Sequence, residues 1–356
     1  MKTLMIISAA LVLALSCVKT EPALQDSQTR IVFSEPVMGV SAKSPIDGDY
    51  PTSGVFRVWG FFSLNKDVIP VDGQYGIGYI DGALCRKEGD VWVPYYSYTD
   101  ENEQTRTGYY YWKAGAGYMT FHALSPSTVT GVTHNWQTGF SIKDYTIADT
   151  PPEDEDLLFS SYTSPSACNA AGVDITFHHA LSKVHFIVRE AADYSGDQLI
   201  KVKKLELLDV YRKADFAENR PTGSLESAYT GAAAAWTMDT SSEHDYVLYN
   251  GDPVTLTWNA GAAVDAPLGI SARLFLPQSL DHGADGNGKV AVRVTYTLGT
   301  SDTELTVSGT LSGAGSITQW VRGHSYTYVV LVGKHKITFS PEVEDWTEDE
   351  GWILVR

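Results

Sequence analysis

The sequence predicts an all-β protein built from two consecutive antiparallel β-sandwich domains. Short apolar runs of strand length recur along the whole chain, and Gly, Asp and Asn separate them as turn residues do. Helical periodicity is weak throughout. The chain has 356 residues, which is more than one hydrophobic core usually organises, so two domains of ordinary size are expected.

Residues 1–16 are predicted to be a signal peptide. Lys2 supplies a positive charge, and residues 4–15 form an apolar run that is too short to span a bilayer comfortably. The run ends in A-L-S-C, which resembles a bacterial lipobox with Ala14 in place of the usual Leu. Acylation of Cys17 would make the exported protein a lipoprotein; the alternative is a chance cysteine at the edge of an ordinary signal peptide.

A short polar stretch and a strand follow the leader. Residues 17–30 contain a proline and suit a tether that leads away from a membrane. Residues 31–40 are predicted to form a strand in which Ile31, Phe33 and Val37 share one buried face, because their positions have the same parity.

The last twenty residues repeat this pattern. Ile337, Phe339 and Val343 stand at the same offsets as the three N-terminal residues, both segments read I-x-F-S, and Trp346 follows. One interpretation is ordinary strand composition in a β-rich protein. The other is that both segments fit one groove, which the N-terminal copy plugs until the C-terminal copy of another molecule replaces it.

Aromatic residues are dense in residues 109–118. They are expected to pack on a sheet, and a platform for stacking against glycans is the alternative. The net charge of −17, from 43 acidic and 26 basic residues, argues against nucleic acids and anionic lipid headgroups as partners. Cys85 and Cys168 either pair or are small buried residues.

No enzyme, cofactor or metal site is predicted. The acidic residues 149–156 and the turn at 285–288 lack the ligand spacing of a calcium loop. His178 points away from His179 and His185 on a strand, so the three side chains do not converge. The chain contains no G-x-S-x-G, H-E-x-x-H or P-loop motif.

Several segments, in order along nearly the whole chain, resemble the fimbrillin-like proteins of Bacteroidales type V pili. These segments read YYYWKAGAGYMTFHALSP, DLLF, FHHALSKV, LFLPQ, WVRGHSYTY and ITFSPEVEDW. The resemblance implies two transthyretin-like β-sandwich domains in line, with a boundary in 160–172. The expected N-terminal domain is 31–165, and the expected C-terminal domain, ending in a donor strand, is 166–356.

The resemblance also implies a function: a structural or accessory subunit of a surface pilus that serves adhesion. Such a subunit reaches the outer membrane as a lipoprotein, is cut by a trypsin-like protease, and joins other fimbrillin-type subunits head-to-tail by strand exchange. Lys43 is the predicted cutting site, since it follows the plugging strand in a loop rich in Ser, Pro and Gly, although the family usually has Arg. An uncut accessory subunit and a glycan-binding lipoprotein of a polysaccharide uptake system are the alternatives.

Overall fold

The computed structural model describes residues 29–39, 45–49, 54–63, 77–113, 115, 118–135, 138–149, 156–164, 172–192, 194, 198–218, 234–259, 261–283, 288–333 and 335–345. These residues form β-strands joined by turns, and the only helical segment among them is the 3-10 turn Ala314–Ser316. The predicted all-β class is therefore confirmed. No described segment forms an apolar helix of membrane-spanning length.

The strands are numbered in chain order. They are β1 Val37–Gly39, β2 Pro45–Asp49, β3 Phe56–Ser63, β4 Ile77–Glu88, β5 Val91–Thr99, β6 Thr105–Tyr109, β7 Tyr118–Ser125, β8 Val132–Asn135, β9 Gly139–Thr146, β10 Leu158–Ser164, β11 Thr176–His179, β12 Ser182–Glu190, β13 Ile200–Tyr211, β14 Lys213–Ala217, β15 Ala235–Met238, β16 Glu243–Thr255, β17 Trp258–Asn259, β18 Ala262–Ala263, β19 Arg273–Phe275, β20 Ala291–Leu298, β21 Leu305–Thr310, β22 His324–Val332 and β23 Ile337–Asp345.

A nine-stranded sheet with the order β2-β1-β11-β10-β7-β3-β4-β5-β6 contains most of the N-terminal half. Its buried residues form a compact cluster that is rich in aromatic rings, including Phe33, Phe56, Trp92, Trp112 and Phe121. One face of these strands therefore forms this core, as a period of two requires, whereas Trp59 and Leu124 of the same sheet belong to a second buried cluster.

The C-terminal half contains two four-stranded sheets, β19-β12-β22-β23 and β16-β13-β20-β21. Phe186 and Tyr328 of the first sheet and Leu205 and Val294 of the second belong to one larger buried cluster. Because both sheets contribute to the same core, they pack face to face. A third four-stranded sheet, β15-β14-β9-β8, joins strands from both halves of the chain.

Two features differ from a simple row of antiparallel sandwiches. The pairs β1–β11 and β12–β22 are parallel, and they join strands that are far apart in the sequence. In addition, Val173, Ile175 and Phe177, which follow the predicted boundary near residue 165, belong to the smaller N-terminal core. The domain limits 31–165 and 166–356 stay a prediction.

Candidate functional site

The N-terminal segment, residues 29–39, lies in a slot between two parts of the chain. On one side, the amide of Ile31 donates to the carbonyl of Tyr110 at 2.9 Å. Phe33 and Trp92 exchange two backbone hydrogen bonds of 2.8 and 2.9 Å. This side of the segment is thus paired as a strand of a sheet would be.

The other side of the N-terminal segment pairs with the chain just before β11. Ser34 N donates to Val173 O at 3.0 Å, Val173 N donates to Val32 O at 2.9 Å, and Val37 N donates to Ile175 O at 2.9 Å. Backbone groups are therefore satisfied along both edges of the segment. If the segment left, both walls of the slot would present unpaired N–H and C=O groups.

Two side chains of the segment fill the N-terminal core. Ile31 and Phe33 have no solvent exposure. The Phe33 ring makes edge-on contacts with Phe121 at 5.3 Å and with Phe56 at 6.4 Å between centroids. The expectation that Val37 shares this face does not hold, because the residue is 45% exposed. The strict alternation ends at Pro36, which is itself buried.

Gly172 allows the segment to approach closely. Its φ is +111°, and a Cβ atom there would lie 2.8 Å from Ser34 N and 3.2 Å from the carbonyl carbon of Phe33. Any side chain would push the N-terminal segment away from this wall and would also strain the backbone. This role of Gly172 was not predicted; its position directly before the apolar V-D-I-T-F run was the available signal.

Two polar contacts hold the segment next to Phe33. The Ser34 hydroxyl donates to Asp174 Oδ1 at 2.6 Å. Lys87 Nζ lies 2.5 Å from Glu35 Oε2, and both side chains are partly buried. Asp174 and Lys87 were not predicted, because both contacts join residues far apart in the sequence and no local pattern marks them.

The C-terminal strand β23 lies at the edge of its sheet within the described residues. It pairs antiparallel with β22 along all nine of its residues. Ile337 is buried and Phe339 partly buried, and both lie over Gly309, where a Cβ would meet their side chains at 2.9 and 3.0 Å. Val343 was expected on the same buried face but is 46% exposed.

Residues around Gly309 and Gly315 pack on β23 from Ile337 as far as Pro341. The ring of Pro341 packs against Gly315. Val343 lies beyond this contact, which explains its exposure. Cys17 and Lys43 lie outside the described residues, as does Trp346, and the roles assigned to them stay predictions.

The three histidines do not form a site. His179 Nδ1 is 2.6 Å from Asp156 Oδ2 in a buried pair, and His185 Nε2 is 3.1 Å from the carbonyl oxygen of Ile270. Burial, together with the nearby Arg322 and His179, lowers the pKa of His178 to about 4. Within the described ranges, no group of three or more acidic, His or Cys side chains could hold a metal ion.

The aromatic residues divide into packed and exposed groups. Trp112 is buried, and Tyr109, Tyr110 and Tyr111 are partly buried, so these members of the 109–118 stretch mainly pack. The exposed rings nearest to this stretch, Tyr96 and Tyr98, belong to the neighbouring strand β5, and their exposure was not predicted. Cys85 is a buried free thiol, and burial raises its pKa well above the ordinary value.

The fold resembles several solved structures at low sequence identity. A fimbrial protein from Bacteroides vulgatus matches with a TM-score of 0.51 and 14% identity, over 89% of this chain and 100% of that one. A candidate cell adhesion protein from Bacteroides uniformis matches with a TM-score of 0.47 and 16% identity, over 90% of this chain and 100% of that one. The C-terminally truncated tip fimbrial protein Mfa3 of Porphyromonas gingivalis matches with a TM-score of 0.38 and 9% identity, over 83% of this chain and 94% of that one.

A search of the curated proteins finds no match to this sequence. A family model described as fimbrillin-like, however, matches residues 90–346. That range covers well over half of the chain and contains all six segments on which the resemblance was based. The protein belongs to the fimbrillin-like family.

Proposed function

We infer that the protein is a subunit of a cell-surface pilus and that it assembles by exchange of the N-terminal segment for a strand of another subunit. Family membership supports the pilus role. The observation that carries the exchange step is the slot itself, in which residues 29–39 pair along both edges and contribute Ile31 and Phe33 to a core made by the rest of the chain.

Departure of the N-terminal segment would leave a surface that binds a strand strongly. Burial of each large apolar side chain stabilises by about 1.5–3 kcal/mol, so the empty positions of Ile31 and Phe33 favour an apolar replacement. The unpaired edges on both sides favour an extended backbone. These two requirements together describe β-strand addition.

The C-terminal strand of another copy meets both requirements. Ile337 and Phe339 reproduce the spacing of Ile31 and Phe33, and Ser340 stands where Ser34 donates to Asp174. As an edge strand, β23 would break one ladder, with β22, and the packing of Ile337 and Phe339 over Gly309 in order to leave. Because this contact is head-to-tail and does not close on itself, its repetition produces a fibre.

Processing completes the proposal. Cys17 carries the lipid that holds the precursor at the outer membrane, and a cut after Lys43 separates the N-terminal segment from the body of the protein. Lys43 lies between β1, which ends at Gly39, and β2, which begins at Pro45. A cut at this position therefore removes the whole segment with its lipid and interrupts neither strand.

The test compares two aspartate variants on the same strand. Whole protein is cut with a Lys-specific protease, polymers are measured by light scattering and electron microscopy, and the N-terminus of the assembled form is sequenced. Phe339→Asp should prevent polymers, because an unpaired charge in the groove costs several kcal/mol. Val343→Asp is the matched control and should polymerise, since both Val343 and its counterpart Val37 are exposed.

A peptide covering residues 335–345 separates assembly from folding, because Phe339 also packs within its own chain. The wild-type peptide should block polymerisation of cut protein, and the peptide with Phe339→Asp should not. Normal polymers from Phe339→Asp protein, or polymers that keep residues 29–39 covalently attached, would refute the exchange. The second result would favour an uncut accessory subunit or a surface glycan-binding lipoprotein, neither of which requires a releasable strand.

A further inference from the structure

Two tyrosines of β5 form an exposed aromatic surface that the exchange mechanism does not use. Tyr96 and Tyr98 are alternate residues of this strand and therefore project from the same face of the sheet. They are 43% and 47% exposed, and their ring centroids lie 6.1 Å apart. We call Tyr96, Tyr98 and the β6 residues opposite them, Gly108 and Arg106, the tyrosine face.

Gly108 leaves room for the Tyr96 ring. A Cβ at Gly108 would lie 2.6 Å from Cε2 and 2.7 Å from Oη of Tyr96, and closer still to Cζ. Several ring atoms thus crowd the space directly above the glycine, so the ring lies over the backbone of β6. The strand covers part of the ring, while the residue as a whole stays 43% exposed.

A second ring supports Tyr96 from the side. Tyr110 meets it edge-on at 5.1 Å between centroids, and Tyr79 meets Tyr110 in the same way at 5.9 Å. The Tyr79 hydroxyl donates to the carbonyl of Tyr111 at 2.9 Å. The Tyr96 ring is therefore held in place before any ligand arrives, which reduces the conformational entropy lost on binding.

A polar group lies at the other end of the tyrosine face. Arg106, opposite Tyr98, donates through Nε to Asp100 Oδ2 and through Nη2 to Gln104 Oε1, both at 2.8 Å. Its planar guanidinium is thus oriented while half of the side chain stays exposed. Preoriented rings beside a fixed planar donor suit a ligand that has both apolar C–H faces and hydroxyl groups.

The local charge restricts the class of ligand further. The β5–β6 hairpin carries Asp100, Glu101 and Glu103 against the single cation Arg106, and the whole chain has a net charge of −17. Sulfated, sialylated and other anionic ligands would be repelled. A neutral saccharide remains, because the C–H face of a sugar ring stacks on an aromatic ring and its hydroxyls bond to planar polar side chains.

We propose that the tyrosine face binds neutral oligosaccharide chains, with Tyr96 and Tyr98 stacking on neighbouring sugar rings and Arg106 bonding to hydroxyl groups. Tyr96 and Tyr98 are not walls of the slot that holds residues 29–39, but Tyr110, which supports Tyr96, accepts the hydrogen bond from Ile31, so binding is tested with this segment in place. The tyrosine face would give a pilus subunit, or an unassembled surface protein, a glycan-directed adhesive surface.

The test measures binding to the uncut whole protein. The probes are linear neutral oligosaccharides of glucose, xylose, mannose and galactose, with sialylated and sulfated glycans as anionic comparisons, on an array and then by calorimetry. Wild type should bind at least one neutral probe weakly, with a Kd on the order of 1 mM. Tyr96→Ala and Tyr98→Ala should each weaken binding about tenfold, as expected for loss of one aromatic contact.

Two variants make the test specific. Gly108→Ala keeps every aromatic ring but displaces Tyr96, and should weaken binding of the same probe by a similar factor. Trp258→Ala removes an exposed ring elsewhere, on β17, and should leave binding unchanged. Circular dichroism checks that each variant is folded. Absence of neutral-glycan binding, preference for anionic glycans, or full binding by a Tyr96→Ala/Tyr98→Ala double variant would overturn the proposal.

Discussion

Replacing Gly172 with alanine tests how tightly the N-terminal segment is held. The added Cβ would lie 2.8 Å from Ser34 N, and the residue would have to keep a φ of +111°. The backbone conformation costs about 1–3 kcal/mol for a residue with a side chain. Displacing Ser34 also weakens its hydrogen bond to Val173, at about 0.5–1.5 kcal/mol. The sum predicts a loss of about 1.5–4.5 kcal/mol.

Hydrogen exchange followed by mass spectrometry measures this loss locally. In uncut protein, peptides that contain Ile31 to Ser34 should exchange at least about tenfold faster in Gly172→Ala, because each 1.4 kcal/mol of opening free energy is a factor of ten. Gly89→Ala is the matched control. Gly89 also has a positive φ, of +68°, but no atom lies within 4 Å of its Cβ position. It should therefore lose overall stability from strain without faster exchange at Ile31 to Ser34.

The result that would refute this reasoning is equal protection of these peptides in both glycine variants. It would mean that the slot adjusts to a side chain at position 172 at little cost. Selective exposure of the segment in Gly172→Ala would instead show that the close approach seen here determines how firmly the segment is held. The same variant should accept an incoming strand less tightly, since any backbone in the slot passes the same point.

Two further predictions concern stability. In a denaturant titration of uncut protein, Phe33→Ala should reduce the free energy of unfolding by about 3–5 kcal/mol, and Val37→Ala by less than about 0.5 kcal/mol. Similar losses in the two variants would contradict the burial of Phe33 and the exposure of Val37. Arg293 and Lys204 lower the pKa of Glu206 to about 2 in the folded protein, below the ordinary value of 4.5, so its stabilising effect is present above about pH 4.5 and lost as the pH falls toward 2. Wild type should therefore lose stability relative to Glu206→Gln over that range, and parallel pH profiles of the two proteins would disprove the coupling.

The sequence was sufficient to predict that Ile31 and Phe33 are buried in the slot. Ile31 and Phe33 alternate as a half-buried strand does, and the structure buries both. The prediction failed at Val37 because Pro36 changes which side of the chain faces the core, and a proline acts on backbone geometry that a parity rule ignores. Val343 is also exposed for a reason that a parity rule ignores. The residues that pack on β23 reach only as far as Pro341.

The walls of the slot could not be predicted from the sequence. Trp92 and Val173 are ordinary strand residues, and their pairing with Phe33 depends on the tertiary arrangement of the sheet. The parallel pairing of β12 with β22 could not be predicted either, because an alternating pattern is the same for parallel and antiparallel strands. The exposure of Tyr96 and Tyr98 depends on what covers each face of the sheet, which local periodicity does not reveal.

The long separation between the N-terminal segment and its walls has a consequence for the order of folding. Glu35 contacts Lys87, 52 positions away, and Ser34 contacts Asp174, 140 positions away. Contacts of such high sequence separation form slowly, because a long loop has to close before they contribute any stability. We therefore expect residues 29–39 to dock late. During this interval the slot would be vacant, and residues 29–39 would compete for it with any other strand nearby.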